Sequence, residues 1–142
     1  MERGSISVEK EREVSGAWPW PDSLDALTAA PGYHRLLFEN ERVRVLEVRI
    51  GPGQLVPVHT HRWPSAVYVI SGSDFIRRDG EGKLLFDSRT MGPPLVTPTV
   101  QWTETLPPHS VENIGNAEIL LISTELKEGA REQGETGRDA KR

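Results

Sequence analysis

The stretch VPVHTHRWPSAVYVISG, residues 56–72, decides how the rest of the chain is read. Its two halves, VPVHTH and AVYVISG, are short runs rich in valine, isoleucine and aromatic residues, which favour strands, and Arg62-Trp63-Pro64 separates them. Within the first half, His59 and His61 stand two apart. Residues i and i+2 of a strand face the same way, so both imidazoles project from one side and Thr60 from the other. Their Cα atoms then lie ~6.5 Å apart, and two rings at that spacing can converge on one ion at ~2.1 Å per bond. Two ligands alone hold a metal weakly. The chain has only two other histidines, His34 and His109.

Outward from this stretch the pattern stays β. ERVRVLEVRI (41–50) interleaves Arg44, Glu47 and Arg49 with valine, leucine and isoleucine. LLFEN (36–40) precedes it, and SDFIRR (73–78) and KLLFDS (83–88) flank DGEG (79–82), a hairpin-turn signal. LVTPTVQWTETL (95–106) alternates loosely, PPHSVENIGNA (107–117) reads as turn-rich, and EILLISTEL (118–126) reads as the last strand. Many short strands with Gly and Pro between them indicate an all-β sandwich or barrel. AWPWP (17–21) cannot lie inside a helix, because proline lacks the amide donor, so it reads as an extended arm that packs on the domain or on a second subunit. DSLDALTAA (22–30) fits a short helix capped by Asp22 or Ser23, with Leu24 and Leu27 on one face, stopped by Pro31-Gly32. Residues 1–17 and 128–142 are polar and lack an apolar period, so they read as flexible tails around one domain at 18–127.

The bulk properties exclude several functions. A chain of 142 residues suits one domain. A net charge of −4 without a basic block disfavours nucleic-acid and anionic-membrane partners. The absence of cysteine rules out disulfides and thiolate metal ligands. The apolar runs are too short to span a bilayer, and the charged N-terminus lacks the apolar core of a secretory signal, so a cytoplasmic location is expected. There is no Gly-rich phosphate loop and no nucleophile elbow.

A third imidazole is best sought at His109, in LPPHSVENIG, which a closed antiparallel barrel can bring beside an earlier strand. His34, between helix and strand, reads as a surface or packing histidine. The plain alternative is an idle, exposed HxH pair.

Gly53, five residues, His59-Thr60-His61, three residues, Ser65, six residues and Gly72 together resemble the first motif of the cupin superfamily. His109, three residues and Asn113 resemble part of the second, although Glu104-Thr105-Leu106 and two prolines replace the family's Pro-x-Gly. The resemblance spans roughly residues 33–127. It implies a jelly-roll β-barrel, a divalent metal (Fe, Zn, Mn or Ni) in its mouth, a small-molecule ligand or substrate, and frequent homodimers. Where cupins commonly carry a glutamate ligand, this chain has Ser65. The implied site is then His59, His61 and His109, as in three-histidine cupin-like dioxygenases. Loss of the carboxylate leaves a bound divalent site at about +2 rather than +1, which suits an anionic bidentate ligand. It also lowers metal affinity, which would suit a non-catalytic barrel that binds a sugar or small metabolite. A third reading, from the Trp-Pro arm, is a structural dimerisation module.

Ser65, Trp63, Tyr68, Phe75 and Trp102 are candidates to line the pocket, although each aromatic also reads as ordinary packing. Glu104 is the one acid placed close before His109; it is the candidate general base, with an imidazole-orienting partner or a solvated charge as alternatives. Arg77 and Arg78 fall on opposite faces of their strand, which argues against a joint anion clamp.

Overall fold

The computed structural model describes residues 17–127, so the two expected tails lie outside the described residues except for residue 17. In the arm, outside any helix or strand, the Trp18 and Trp20 rings lie edge to face at 4.9 Å. A 3-10 turn, Asp22–Leu24, leads into α1 (Ala26–Ala29). The cap of α1 is neither Asp22 nor Ser23. The backbone is extended at Asp25 (ψ 144°), which splits the expected helix in two, and the Asp25 side chain accepts from the Leu27 amide at 3.1 Å.

Nine strands follow: β1 (His34–Glu39), β2 (Val43–Ile50), β3 (Leu55–His61), β4 (Ser65–Ser71), β5 (Phe75–Asp79), β6 (Leu84–Asp87), β7 (Thr99–Thr103), β8 (Leu106–Asn113) and β9 (Ile119–Leu126). They form a five-stranded sheet ordered β1-β2-β9-β4-β7 and a four-stranded sheet ordered β3-β8-β5-β6, with antiparallel ladders throughout. The non-sequential order is that of a jelly roll, the all-β architecture expected. Among the described residues, no helix is long and apolar enough to cross a membrane.

Alternation decides what each sheet buries. In β2, Arg44, Leu46, Val48 and Ile50 are buried while Arg49 is exposed. Ala30, Val48, Ile50, Val56 and Ile119 form the core, with Tyr33, Phe75, Val111 and Leu121 packed against it. Burying each large apolar side chain contributes roughly 1.5–3 kcal/mol. The DGEG hairpin forms as expected: Asp79 Oδ1 accepts from the amides of Glu81 and Lys83, and Gly82 takes a positive φ of 91°.

The turn-rich reading of residues 107–117 is wrong over most of its length. Leu106–Asn113 is strand β8, inside the four-stranded sheet. Pro107 and Pro108 sit near its start, where a missing amide is tolerated, and the β3–β8 register shifts on both sides of His59. The turn comes only after Asn113. That buried amide donates to the carbonyls of Ile50 (2.9 Å) and Ala117 (2.8 Å) and accepts from the Gly115 amide (3.0 Å).

One ionic group lies inside. Arg44 on β2 is the cross-strand partner of Glu125 on β9, and its Nε donates to Glu125 Oε1 at 2.6 Å. Its two Nη atoms grip Asp25 at 3.0 and 2.9 Å, which ties the N-terminal segment to the barrel. Burial opposes the charge on Arg44, but its bonds to Asp25 and Glu125 outweigh this and raise its pKa. The Trp63 ring lies 5.0 Å from the Arg44 guanidinium carbon. Arg44→Met would strand the Glu125 carboxylate, whose side chain is 1% exposed, and should cost about 3–5 kcal/mol in chemical denaturation. Arg35→Met, which breaks a pair whose arginine is 68% exposed, should cost less than about 1 kcal/mol. Similar small losses for both variants would contradict this account of the interior.

Candidate metal centre

All four histidines of the chain meet between the sheets. His59 on β3 and His109 on β8 are direct cross-strand partners, with ring centroids 4.3 Å apart. His61, two residues along the same face, lies 5.0 Å from His59 and 5.7 Å from His109. His34, at the start of β1 on the other sheet, lies 4.8 Å from His59 and 5.3 Å from His61. The ligand atoms of His34, His59 and His61 all fall within 4.8 Å of one another.

His34 is therefore not a surface residue. It is 5% exposed, and its pairing with Val48 turns it to the inward face. Position alone could not reveal this, since His34 has no partner at i±2 and reaches the others only when the two sheets stack.

Every ring is fixed through Nδ1. His59 Nδ1 lies 2.8 Å from the Pro57 carbonyl and His109 Nδ1 lies 2.8 Å from the Pro107 carbonyl. His34 Nδ1 lies 3.0 Å from the Ala30 carbonyl, and His61 Nδ1 lies 3.0 Å from Glu125 Oε2. A carbonyl or carboxylate oxygen accepts, so each Nδ1 must donate, and the free lone pair of each neutral ring sits on Nε2. Burial, reinforced by neighbouring imidazoles, holds the rings of His34, His59 and His109 neutral. It lowers the pKa of His59 to about 2, of His109 to about 3 and of His34 to about 4.

The histidines close one end of a cavity of about 160 Å³, whose remaining wall is largely apolar. Ser65 and Phe75 line it. Trp63, Tyr68 and Trp102 do not. The alternation that turns Ser65, Val67 and Val69 inward turns Tyr68 outward, to 45% exposure. Trp63 instead covers the cations of Arg44, Arg62 and Lys127. Trp102 is 54% exposed, and its Nε1 donates to Glu104 Oε2 at 2.7 Å. Glu104 stands on the cavity wall at the solvent-exposed rim. The wall carries one further charge, Arg77.

Besides His34, the cavity brings in Arg77, which the sequence reading weighed only as a joint clamp with Arg78, and Glu125, behind His61, is absent from that reading. Two signals were available. Pro-x-His occurs in both strands, at 57–59 and 107–109, and in each case the proline carbonyl anchors the imidazole. Glu125 is the one acid of strand β9 and falls at an inward position.

In the metal-free protein, stability should be greatest above about pH 6.5, the ordinary imidazole range, and fall as the pH drops toward about 5. The sign follows from the lowered pKa values. The unfolded chain takes up protons in this window that the folded rings of His34, His59 and His109 refuse. Each such ring contributes up to about 1.4 kcal/mol per pH unit. The midpoint of thermal unfolding should fall accordingly; a flat or rising midpoint would contradict the neutral cluster.

No protein-family model matches the chain, and no curated protein matches it. Solved structures do. A cupin domain from Bordetella pertussis is similar at 22% identity and a TM-score of 0.53, over 66% of this chain and 91% of that one. An RmlC-like cupin family protein from Methanocaldococcus jannaschii is similar at 9% identity and a TM-score of 0.50, over 71% of this chain and 84% of that one. At such identities the likeness speaks for the architecture alone: the chain has the cupin double-stranded β-helix fold, with a histidine group at its centre that could hold a metal ion.

Proposed function

We propose that this barrel holds one divalent ion (iron, zinc, manganese or nickel) through the Nε2 atoms of its histidines and acts on a small organic acid or ketone, as a dioxygenase or related enzyme. The observation that carries the reading is the common anchoring of all four Nδ1 atoms. Anchored in this way, each ring leaves its Nε2 lone pair free for an ion. His34, His59 and His61, whose ligand atoms lie within 4.8 Å of one another, form the centre of the proposed set, and His109, the third ligand expected from the sequence, has its ring 4.3 Å from His59.

Neutral imidazole ligands would leave the full charge of the ion uncompensated, so it would act as a strong Lewis acid toward a carbonyl or carboxylate oxygen, and iron would add dioxygen chemistry. The chain's own residues supply the rest. Glu125 orients His61, the apolar wall excludes water, and Glu104 is the one acid on that wall able to take a proton from a substrate. One observation favours the alternative of a non-catalytic binder: Glu104 already accepts the Trp102 indole N–H and stands at the rim. In the same reading the chain pairs with a second copy through the outer face of the five-stranded sheet. There Tyr68 and Val100 are cross-strand neighbours, 45% and 66% exposed.

Protein prepared without a histidine tag should contain about one divalent metal per chain by elemental analysis, and His59→Ala with His61→Ala should abolish it. His34→Ala and His109→Ala should each weaken metal affinity by about tenfold or more. Metal content unchanged in the double variant would remove the proposal. Substrate binding that survives chelation undiminished would favour the binder over the enzyme.

A further inference from the structure

Arg77 has no function in the account so far, and its surroundings make it an unusual residue. It sits on β5, in register with Val111 on β8 and diagonal to His109. Alternation sends Arg78 to the other face, where it pairs with Glu112 at 3.3 Å. Arg77 faces the cavity. Among the described residues no carboxylate pairs with it, and its buried Nε has no hydrogen-bond partner, the sole side-chain atom in that condition. Its guanidinium carbon lies 5.7 Å from the Phe75 ring, which also lines the cavity. Burial lowers its pKa, and no acid offsets this.

Arg77 is half-buried with its Nε enclosed, and leaving a guanidinium so placed without an anion costs stability. The cavity wall carries one acid, Glu104, which is at the rim and engaged by Trp102. The imidazoles add no negative charge. The deficit is thus one anion, inside the barrel, within reach of both a planar cationic fork and the imidazole end. The facing sheet lines the cavity largely with aliphatic side chains, Val48, Ile50, Val67, Val69, Ile119 and Leu121. We infer that Arg77 is the recognition residue for the carboxylate of a small ligand with an apolar body, bound with its anionic end toward Arg77 and its body against the aliphatic wall. This rests on the proposed role of the cavity as the ligand site and narrows it: organic acids bind, while neutral ketones of the same shape do not.

The test uses benzoate and its neutral isostere benzamide, titrated by calorimetry into the full chain, both metal-free and zinc-loaded. Benzoate should bind the metal-free wild type at least about tenfold more tightly than benzamide. Arg77→Met should bring benzoate down to the benzamide level and leave benzamide unchanged, and Arg77→Lys should keep part of the preference. Because Met removes an uncompensated charge, ligand-free Arg77→Met should melt no lower than wild type, whereas an arginine kept for packing or pairing would leave its variant less stable. Equal benzoate affinity in wild type and Arg77→Met overturns the inference. So does a wild type that fails to prefer benzoate, a comparison that requires no variant to fold. Metal-free measurements make the two proposals separable: a barrel that takes up no zinc yet prefers benzoate through Arg77 would sink the metal centre and leave this inference standing.

Discussion

The structure turns on one buried carboxylate. Glu125 is fully enclosed, and it divides its oxygens between Arg44 at 2.6 Å and the His61 imidazole at 3.0 Å. Through Arg44 it reaches Asp25, the cap of the short helix, so that the N-terminal segment, the five-stranded sheet and the histidine cluster share one ionic group. Removing any member leaves the others charged in a low-dielectric interior, which is why such groups are costly to break although they contribute modestly when intact. The same arrangement gives His61 its orientation. A carboxylate behind a metal-binding imidazole fixes the tautomer and raises the basicity of the outward nitrogen.

Glu125 is also the cross-strand neighbour, on β9, of Ser65, the position at which the sequence resemblance implies a glutamate ligand. It bonds Nδ1 of His61 and is shared with Arg44, so its charge lies behind the imidazole. The cavity leaves an anionic ligand to complete the charge balance, which is consistent with Arg77 on its wall.

Much of this was legible in the sequence because it depends on period two. The alternation in ERVRVLEVRI and AVYVI, the DGEG turn and the HxH spacing each follow from local geometry, and each appears in the structure. What the sequence hid depends on contacts between distant strands. His34 joins the cluster only through the stacking of the two sheets, and Arg77 becomes unusual only once its surroundings lack an acid. The outward turn of Tyr68 follows from period two as well, but only after the inward face of β4 is known. Strand β8 was masked by its own prolines, which local chemistry assigns to turns and the sheet tolerates near a strand's start. The helix cap was displaced because Asp25 serves Leu27 and Arg44 together.

The central claim concerns which nitrogen of each ring is free. Long-range proton–nitrogen NMR of the metal-free protein, followed by addition of zinc, reads this for every histidine. The account predicts Nδ1–H tautomers at His34, His59, His61 and His109, with the bare Nε2 resonances shifting as zinc is added. An Nε2–H tautomer at His59 or His61, or Nε2 resonances indifferent to zinc, would contradict it.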